Sequence, residues 1–233
     1  GIAIGTVLLP EMSRRLTADD HAGAAKAQRR AFAFTLLFSV PFVAAFLSVP
    51  DVIMRAMFAR GAFSRADAAT AGATLAAYAV GLIPFVMIRS AVATFYARKD
   101  TATPVKAALT GVAVNVALKL ALMGTLAQIG LALATAAGAW VNLLLVMFFA
   151  VRRGYLILDR EWIKSLAKFA VAGVVLAAAL WLIARFAGVY FAQMSAFRDE
   201  TALLLLIASG TFVYCFSILL LFGRGWIFSL IRG

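Results

Sequence analysis

The sequence has very few of the residue types on which enzymes and metalloproteins most often depend. It contains one cysteine, Cys215, and one histidine, His21, among 233 residues. A single cysteine excludes an internal disulfide, and a thiol-ligated metal cluster is not expected. His21 lies in a polar stretch, too isolated for a catalytic or metal-binding role, so we interpret it as a solvated loop residue.

Acidic residues are also scarce: there are 10 of them against 22 Lys and Arg, and the net charge is +12. The basic residues fall in short runs between apolar segments rather than in one basic domain, which argues against nucleic acid as a partner. We find no phosphate-binding glycine loop, no metal-ligand spacing and no nucleophile with a nearby base. The sequence therefore does not indicate an enzyme, and we expect no cofactor and no bound metal.

Apolar residues, by contrast, make up 64% of the chain, and the mean hydropathy is +0.98. A soluble core of this size could not bury so much apolar side chain. Six apolar runs have about the 20 residues that a spanning helix needs, and they lie at 31–50, 72–96, 106–126, 130–151, 169–190 and 201–222. A strand or irregular segment facing lipid would leave backbone groups unpaired. The predicted fold class is therefore all-α: a polytopic transmembrane helical bundle with six complete spans.

The first ten residues, GIAIGTVLLP, add a shorter apolar stretch. They have no initiator Met and no basic region of a signal peptide, and they are too few to cross a bilayer. We interpret residues 1–10 as the end of a truncated transmembrane helix, which would make this chain a fragment.

Basic residues predict the orientation, because cytoplasmic loops carry an excess of them. Fifteen lie on the side that we assign to the cytoplasm: Arg14, Arg15, Lys26, Arg29, Arg30, Arg98, Lys99, Lys106, Arg152, Arg153, Arg160, Lys164, Lys168, Arg224 and Arg232. Four lie on the other side: Arg55, Arg60, Arg65 and Arg198. The outer loop at 51–71 begins with a mixed apolar and basic segment that suits either a short interfacial helix or a plain loop.

Three basic residues remain within the predicted spans: Arg89, Lys119 and Arg185. A cation at the centre of a membrane helix costs about 2.5–3.5 kcal/mol on insertion scales, so it should face water or a partner. None of the acidic residues lies within a span. The partner would then be an anionic ligand or an acid outside this chain.

Lys119 and Arg89 are the best candidates for a substrate-binding site. Lys119 follows Gly111 and Asn115 on one helical face, and Asn115 is the third candidate. Arg89 comes after Gly81 and Pro84, a pair that can kink a helix as in transport sites. The alternatives are that the cations extend to the interface and that Asn115 bonds a neighbouring helix. Such an extended position is the favoured interpretation of Arg185.

Three stretches together resemble the C-terminal half of the MurJ (MviN) lipid II flippases, which belong to the multidrug/oligosaccharidyl-lipid/polysaccharide exporter superfamily. They are MFARGAFSRADAATAGATLAAYAVGLIPF at 57–85, FYARKDTATPVK at 95–106 and GLALATAAGAWVNLLL at 130–145. The segment GTVLLPEMSR at 5–14 is similar to the end of that family's eighth helix. The last two spans are similar mainly in hydropathy.

The resemblance implies two lobes around a cationic cavity in the bacterial inner membrane, alternating between inward-open and outward-open states. The substrate would be undecaprenyl-pyrophosphate carrying the peptidoglycan precursor, with membrane lipids and a missing N-terminal lobe as the other partners. Residues 31–151 would be C-terminal lobe helices, and 169–222 two additional helices whose groove holds the lipid tail. The family's cavity arginines lie mostly upstream of Gly1, so the roles of Arg89 and Lys119 rest on depth and charge.

Other functions remain open at this point. A related exporter of lipid-linked polysaccharide units or of drugs would have the same fold, although an exporter of cations should have acids in its cavity. A membrane enzyme acting on polyprenyl phosphates would need His or acidic clusters. A purely structural bundle would leave the intramembrane cations unexplained.

Overall fold

The computed structural model describes residues 2–190 and 197–226, and within these ranges the chain is helical, without a strand. The helices in these ranges are α1 (Ile2–Thr17), α2 (His21–Ser48), α3 (Pro50–Phe58), α4 (Arg65–Val80), α5 (Leu82–Tyr96), α6 (Ala102–Arg152), α7 (Arg160–Tyr190) and α8 (Arg198–Phe222), and residues 224–226 are also helical. The predicted all-α class is confirmed.

Five helical segments of the described chain are long and apolar enough to cross a membrane, whereas the sequence predicts six spans. The difference comes from α6, which has 51 residues. A straight helix of that length would measure about 76 Å, more than twice the hydrocarbon core of about 30 Å. At Ala127 the backbone leaves the helical region, with φ 45° and ψ −126°, and the chain turns back. The two arms, 102–126 and 128–152, are two of the predicted spans counted as one helix.

The helices extend beyond the apolar runs at their polar ends. Helix α2 begins at His21 rather than near 31, and α7 begins at Arg160 rather than near 169. Hydropathy marks the part of a helix that lies in hydrocarbon, whereas backbone hydrogen bonding continues into the headgroup region. Helix α1 likewise continues through Pro10 to Thr17.

Two local expectations match the structure. The outer loop at 51–71 contains a short helix, α3, which has Pro50 at its start and Asp51 in its first turn. Both residues suit a helix N-terminus, because proline lacks the unpaired N–H and a carboxylate complements the helix dipole. The helix that the sequence places at 72–96 is interrupted at Gly81, which separates α4 from α5.

The chain divides into two compact units, of which the first comprises residues 1–39 and 81–167. Its core joins α1, the start of α2 and the end of α5 through Leu8, Met12, Ala24, Ala27, Ala31 and Ala93. Small side chains let these helices approach closely. At the polar end of this unit, Arg29 forms an ion pair of 2.7 Å with Asp159, and Arg98 lies 4.3 Å from the ring centroid of Tyr155. These contacts join segments that the charge distribution assigns to one side of the membrane.

The second unit comprises residues 40–80 and 168–233. Helix α3 packs against α4 and α8, and three ion pairs connect the outer loop with the start of α8: Arg55 with Asp199, Arg60 with Glu200, and Arg65 with Asp199. Helix α8 approaches α7 at Gly210, where an added Cβ would lie 2.9 Å from a methyl carbon of Leu180. The charge distribution assigns the ion-paired segments to the outer side.

Candidate functional site

The candidate site lies on α6, whose two arms pack against each other as an antiparallel hairpin. An added Cβ on Gly130 would lie 2.6 Å from the carbonyl oxygen of Leu122, so the arms are already close near the turn at Ala127. Further from the turn, a Cβ on Gly111 would lie 2.7 Å from the carbonyl oxygen of Gly138, and the reverse distance is also 2.7 Å. Only glycine permits this backbone approach from both sides.

Each of these glycines belongs to a matching Gly-x-x-x-Asn motif, GVAVN at 111–115 and GAWVN at 138–142. The motifs pack reciprocally: an added Cβ on Gly138 would lie 2.8 Å from the Cβ of Asn115, and one on Gly111 would lie 3.0 Å from the Cβ of Asn142. The small, polar face predicted for the first arm is therefore used for contact with the second arm. The match between Asn142 and Asn115 was not recognised from the sequence, which suggested only an interhelical hydrogen bond for Asn142.

Asn115 and Asn142 each place a polar side-chain oxygen inside the contact between the two arms. The side-chain oxygens of Asn115 and Asn142 are buried and have no hydrogen-bond partner among the described residues. A buried acceptor without a donor costs about 1–3 kcal/mol, so retaining two of them at one helix crossing calls for an explanation. The hydrogen bond to a neighbouring helix that the sequence offered as an alternative for Asn115 is absent from the described contacts.

Lys119 lies one turn beyond Asn115 on the same arm and is half-buried. No carboxylate within the described ranges pairs with its ammonium group. The surrounding surface of the arm is apolar and exposed, as expected of a lipid-facing helix, with Val116 at 51% and Leu120 at 75% exposure. A half-buried cation in such surroundings favours either a ligand with negative charge or extension of the side chain to the interface.

Arg89 lies on α5, which packs against both α1 and α6. Its side chain is exposed, and its Cβ would lie 3.3 Å from a Cβ added to Gly5 of α1. Like Lys119, it forms no ion pair with a carboxylate in the described part of the chain. Asn115 and Lys119 therefore lie on one face of α6, whereas Arg89 lies on α5, a neighbouring helix of the same unit.

Two buried polar residues of the same unit escape sequence reasoning. Gln28 is 1% exposed and Ser90 is 0% exposed. Among the described residues, neither the polar atoms of the Gln28 side chain nor the Ser90 hydroxyl have a hydrogen-bond partner. Gln28 adjoins Arg29 and Arg30 in a polar stretch, so nothing local marks it as buried. Ser90 directly follows Arg89 within an apolar run. A polar residue at such a position could have been recognised from the sequence as a candidate buried polar group.

Comparison with known proteins gives this arrangement its context. The family model described as "Lipid II flippase MurJ" matches residues 1–199. The chain belongs to the MurJ family. Since several of its helices are long and apolar enough to span a bilayer, it is a multi-pass membrane protein, as predicted.

Individual MurJ proteins match over most of this chain but only part of their own length. The probable lipid II flippase MurJ of Rhizobium meliloti is 40% identical over 182 residues, which are 78% of this chain and 34% of that protein. The corresponding protein of Rickettsia prowazekii is 33% identical over 153 residues, 66% of this chain and 30% of its own. The chain thus spans about a third of the length of the curated relatives it matches.

A solved structure described as the lipid II flippase MurJ in an inward closed conformation has the same fold. Its TM-score is 0.75 at 22% identity, and the match covers 96% of this chain and 43% of that one. The fold likeness therefore extends beyond residue 199, where the family model ends. It includes the last helices, which the sequence relates to the family mainly by hydropathy.

Proposed function

We propose that this chain forms part of a flippase that moves lipid II, the lipid-linked peptidoglycan precursor, across the bacterial inner membrane by alternating access. The observation that carries the proposal is membership of the MurJ family over residues 1–199. Deep cations without acidic partners in the described chain add support, because a pyrophosphate in a low-dielectric cavity needs compensating positive charge.

In this proposal Lys119 and Arg89 attract the pyrophosphate of undecaprenyl-pyrophosphate, while the polyprenyl tail stays in lipid. Asn115 supports Lys119 from the hairpin contact, where its unpartnered oxygen can accept a hydrogen bond from substrate or water once the arms shift. The partners would be membrane lipids and the N-terminal lobe of the same protein, with the helices at 169–222 alongside the tail. Transport of this kind requires no catalysis and no cofactor from the chain.

The test is complementation of a strain depleted of its own flippase by the full-length protein carrying single substitutions. Lys119→Ala and Arg89→Ala should impair growth while the protein still inserts, because removing a cation from a predicted membrane span relieves an insertion cost of about 2.5–3.5 kcal/mol. Lys119→Arg should retain more activity than Lys119→Ala. Lys119→Glu should be worst, since it places a negative charge next to an anionic substrate.

Lys106→Ala is the matched control, because Lys106 is an exposed cation on the same arm near its polar end. Asn115→Leu distinguishes a substrate-binding role of Asn115 from a structural one. It removes an unpartnered buried acceptor, so the thermal stability should not fall, whereas the transport activity should fall. Membrane levels of every variant are measured in parallel. Normal complementation by both Lys119→Glu and Arg89→Ala at normal levels would exclude a substrate role for these residues.

A further inference from the structure

A second polar site lies in the unit formed by residues 40–80 and 168–233. A shallow, open pocket of about 290 Å³ is lined by residues 48–52 at the junction of α2 and α3, by Arg55, and by Trp181, Ala184 and Arg185 of α7. It is the place in the structure where the third intramembrane cation, Arg185, meets other polar groups. The proposed transport function assigns no role to Arg185 or to Asp51.

The pocket lies at the outer end of α7 in the predicted topology. Arg185 is five residues before Tyr190, the last residue of α7, so it lies about 7 Å below the helix end. Trp181, which lines the pocket, is 54% exposed on this apolar helix, as suits a side chain in contact with lipid. A tryptophan and an arginine at this depth are typical of the level at which headgroup phosphates lie.

Arg185 is arranged to donate hydrogen bonds. Its guanidinium carbon lies 5.6 Å from the ring centroid of Trp181, one turn earlier on the same helix. This cation–π contact restrains the arginine side chain, and a guanidinium can donate paired hydrogen bonds to phosphate oxygens. Within the described ranges no carboxylate forms an ion pair with Arg185.

The first turn of α3 adds donors on the opposite wall. The N-cap residue Val49 provides no side-chain cap, and Pro50 occupies the first helical position. The backbone N–H groups of Asp51 and Val52 in that turn have no acceptor within their own helix. Arg55 lines the same wall, although its Nε bonds Asp199 at 3.4 Å, which offsets part of its charge.

Asp51 determines which phosphate compound fits. Asp51 is one of the lining residues, and its carboxylate oxygen Oδ1 lies against Gly72 of α4, where an added Cβ would lie 2.5 Å from that oxygen. This negative charge opposes binding of a free phosphate dianion or of a headgroup with net negative charge. It favours a headgroup that carries a phosphodiester together with an ammonium group.

We propose that this pocket binds the headgroup of a zwitterionic phospholipid of the outer leaflet. The guanidinium of Arg185 donates to the non-bridging phosphate oxygens, and the carboxylate of Asp51 accepts from the headgroup ammonium. The acyl chains then lie along the apolar outer surface of α7, near Trp181. The site is independent of the proposed transport function, because it can be assayed by binding alone.

The experiment measures lipid retention by the purified full-length protein in native mass spectrometry. Phosphatidylethanolamine should be retained in preference to phosphatidylglycerol, and Arg185→Gln should weaken the retention about tenfold, as loss of a charge-assisted pair predicts. Asp51→Asn should shift the preference toward phosphatidylglycerol. Arg60→Gln is the matched control, because Arg60 is an exposed outer arginine that does not line the pocket, and it should leave retention unchanged.

Three results would overturn the proposal. The first is equal retention by Arg185→Gln and the unsubstituted protein. The second is an unchanged lipid preference in Asp51→Asn, a variant that keeps both arginines. The third is displacement of bound lipid by millimolar inorganic phosphate, which would identify the pocket as a site for the free ion. Unchanged thermal unfolding of each variant shows that a lost lipid reflects the site rather than the fold.

Discussion

At the scale of single residues, the candidate site residues Asn115 and Lys119 lie near glycines at which any larger side chain would clash with the neighbouring arm of α6. Gly111 and Gly138 let the two arms of α6 meet through their backbones, and Asn115 and Asn142 flank that contact. Lys119 follows one turn later on the same arm. The position of Lys119 therefore depends on a backbone contact that is possible only because Gly111 and Gly138 have no Cβ.

This dependence predicts a sharp difference between two glycines of one helix. Gly111→Ala would bring a methyl group to 2.7 Å from the carbonyl oxygen of Gly138, and a backbone atom cannot move aside cheaply. We expect it to destabilise the protein by about 1–3 kcal/mol, the usual cost of overpacking. Gly124→Ala is the control, because nothing lies within 4 Å of its added Cβ. Thermal unfolding in detergent compares the two, and an equal effect would refute the close backbone contact.

At the scale of helices, the polar ends are fixed by side chains that stabilise their own helix and also hold a neighbouring one. Asp159 precedes α7 and accepts a 2.9 Å hydrogen bond from the backbone N–H of Trp162, which caps that helix. The same carboxylate pairs with Arg29 of α2 at 2.7 Å. The bond from Trp162, together with Arg29, outweighs burial and holds the pKa of Asp159 below its ordinary value.

Substitutions at Asp159 should separate these two roles. Asp159→Ala removes both the cap and the ion pair and should lower the thermal midpoint more than Asp159→Asn, which keeps an oxygen to cap α7. Because the folded-state pKa is lowered, the ionised carboxylate stabilises the fold above its unfolded pKa of about 3.9, and this is lost as pH falls through the folded value. The midpoint difference between wild type and Asp159→Asn should therefore shrink below about pH 4. A difference that stays constant with pH would exclude the ionised carboxylate as its source.

At the scale of the whole molecule, the charge distribution and the contacts describe the same arrangement. Segments counted on the predicted inner side meet through Arg29 and Asp159, and segments counted on the outer side meet through Arg60 and Glu200. The count of basic residues comes from the sequence and the ion pairs come from the structure, so the two observations are independent. Each contact lies within its own unit, between segments that the predicted topology assigns to one side of the membrane.

Cysteine labelling from each side of the membrane tests the orientation. In a background with Cys215 replaced by serine, Leu158→Cys should react with an impermeant reagent only after the inner side is opened, because fifteen basic residues lie on that side against four. Ala62→Cys, in the exposed outer loop, should react in intact cells. Labelling of Leu158→Cys from outside alone would reverse the topology.

The sequence alone was enough to predict the all-helical membrane fold, the approximate positions of its spans, a helix-kinking pair at Gly81 and Pro84, and the family. These follow from composition and local order, because hydrocarbon requires apolar helices wherever the chain crosses it. The domain ranges, the orientation and the substrate roles of Lys119, Arg89 and Asn115 remain predictions.

The tertiary structure alone decided which faces meet. It joined two Gly-x-x-x-Asn motifs 27 positions apart in sequence, buried Gln28 and Ser90, and brought Arg55 next to Asp199, which is 144 residues away. In a soluble protein a helix marks its buried face by being apolar there. In a membrane the lipid-facing and protein-facing sides are both apolar, so hydropathy carries no information about which side contacts a neighbour, and only the packing of small and polar residues decides it.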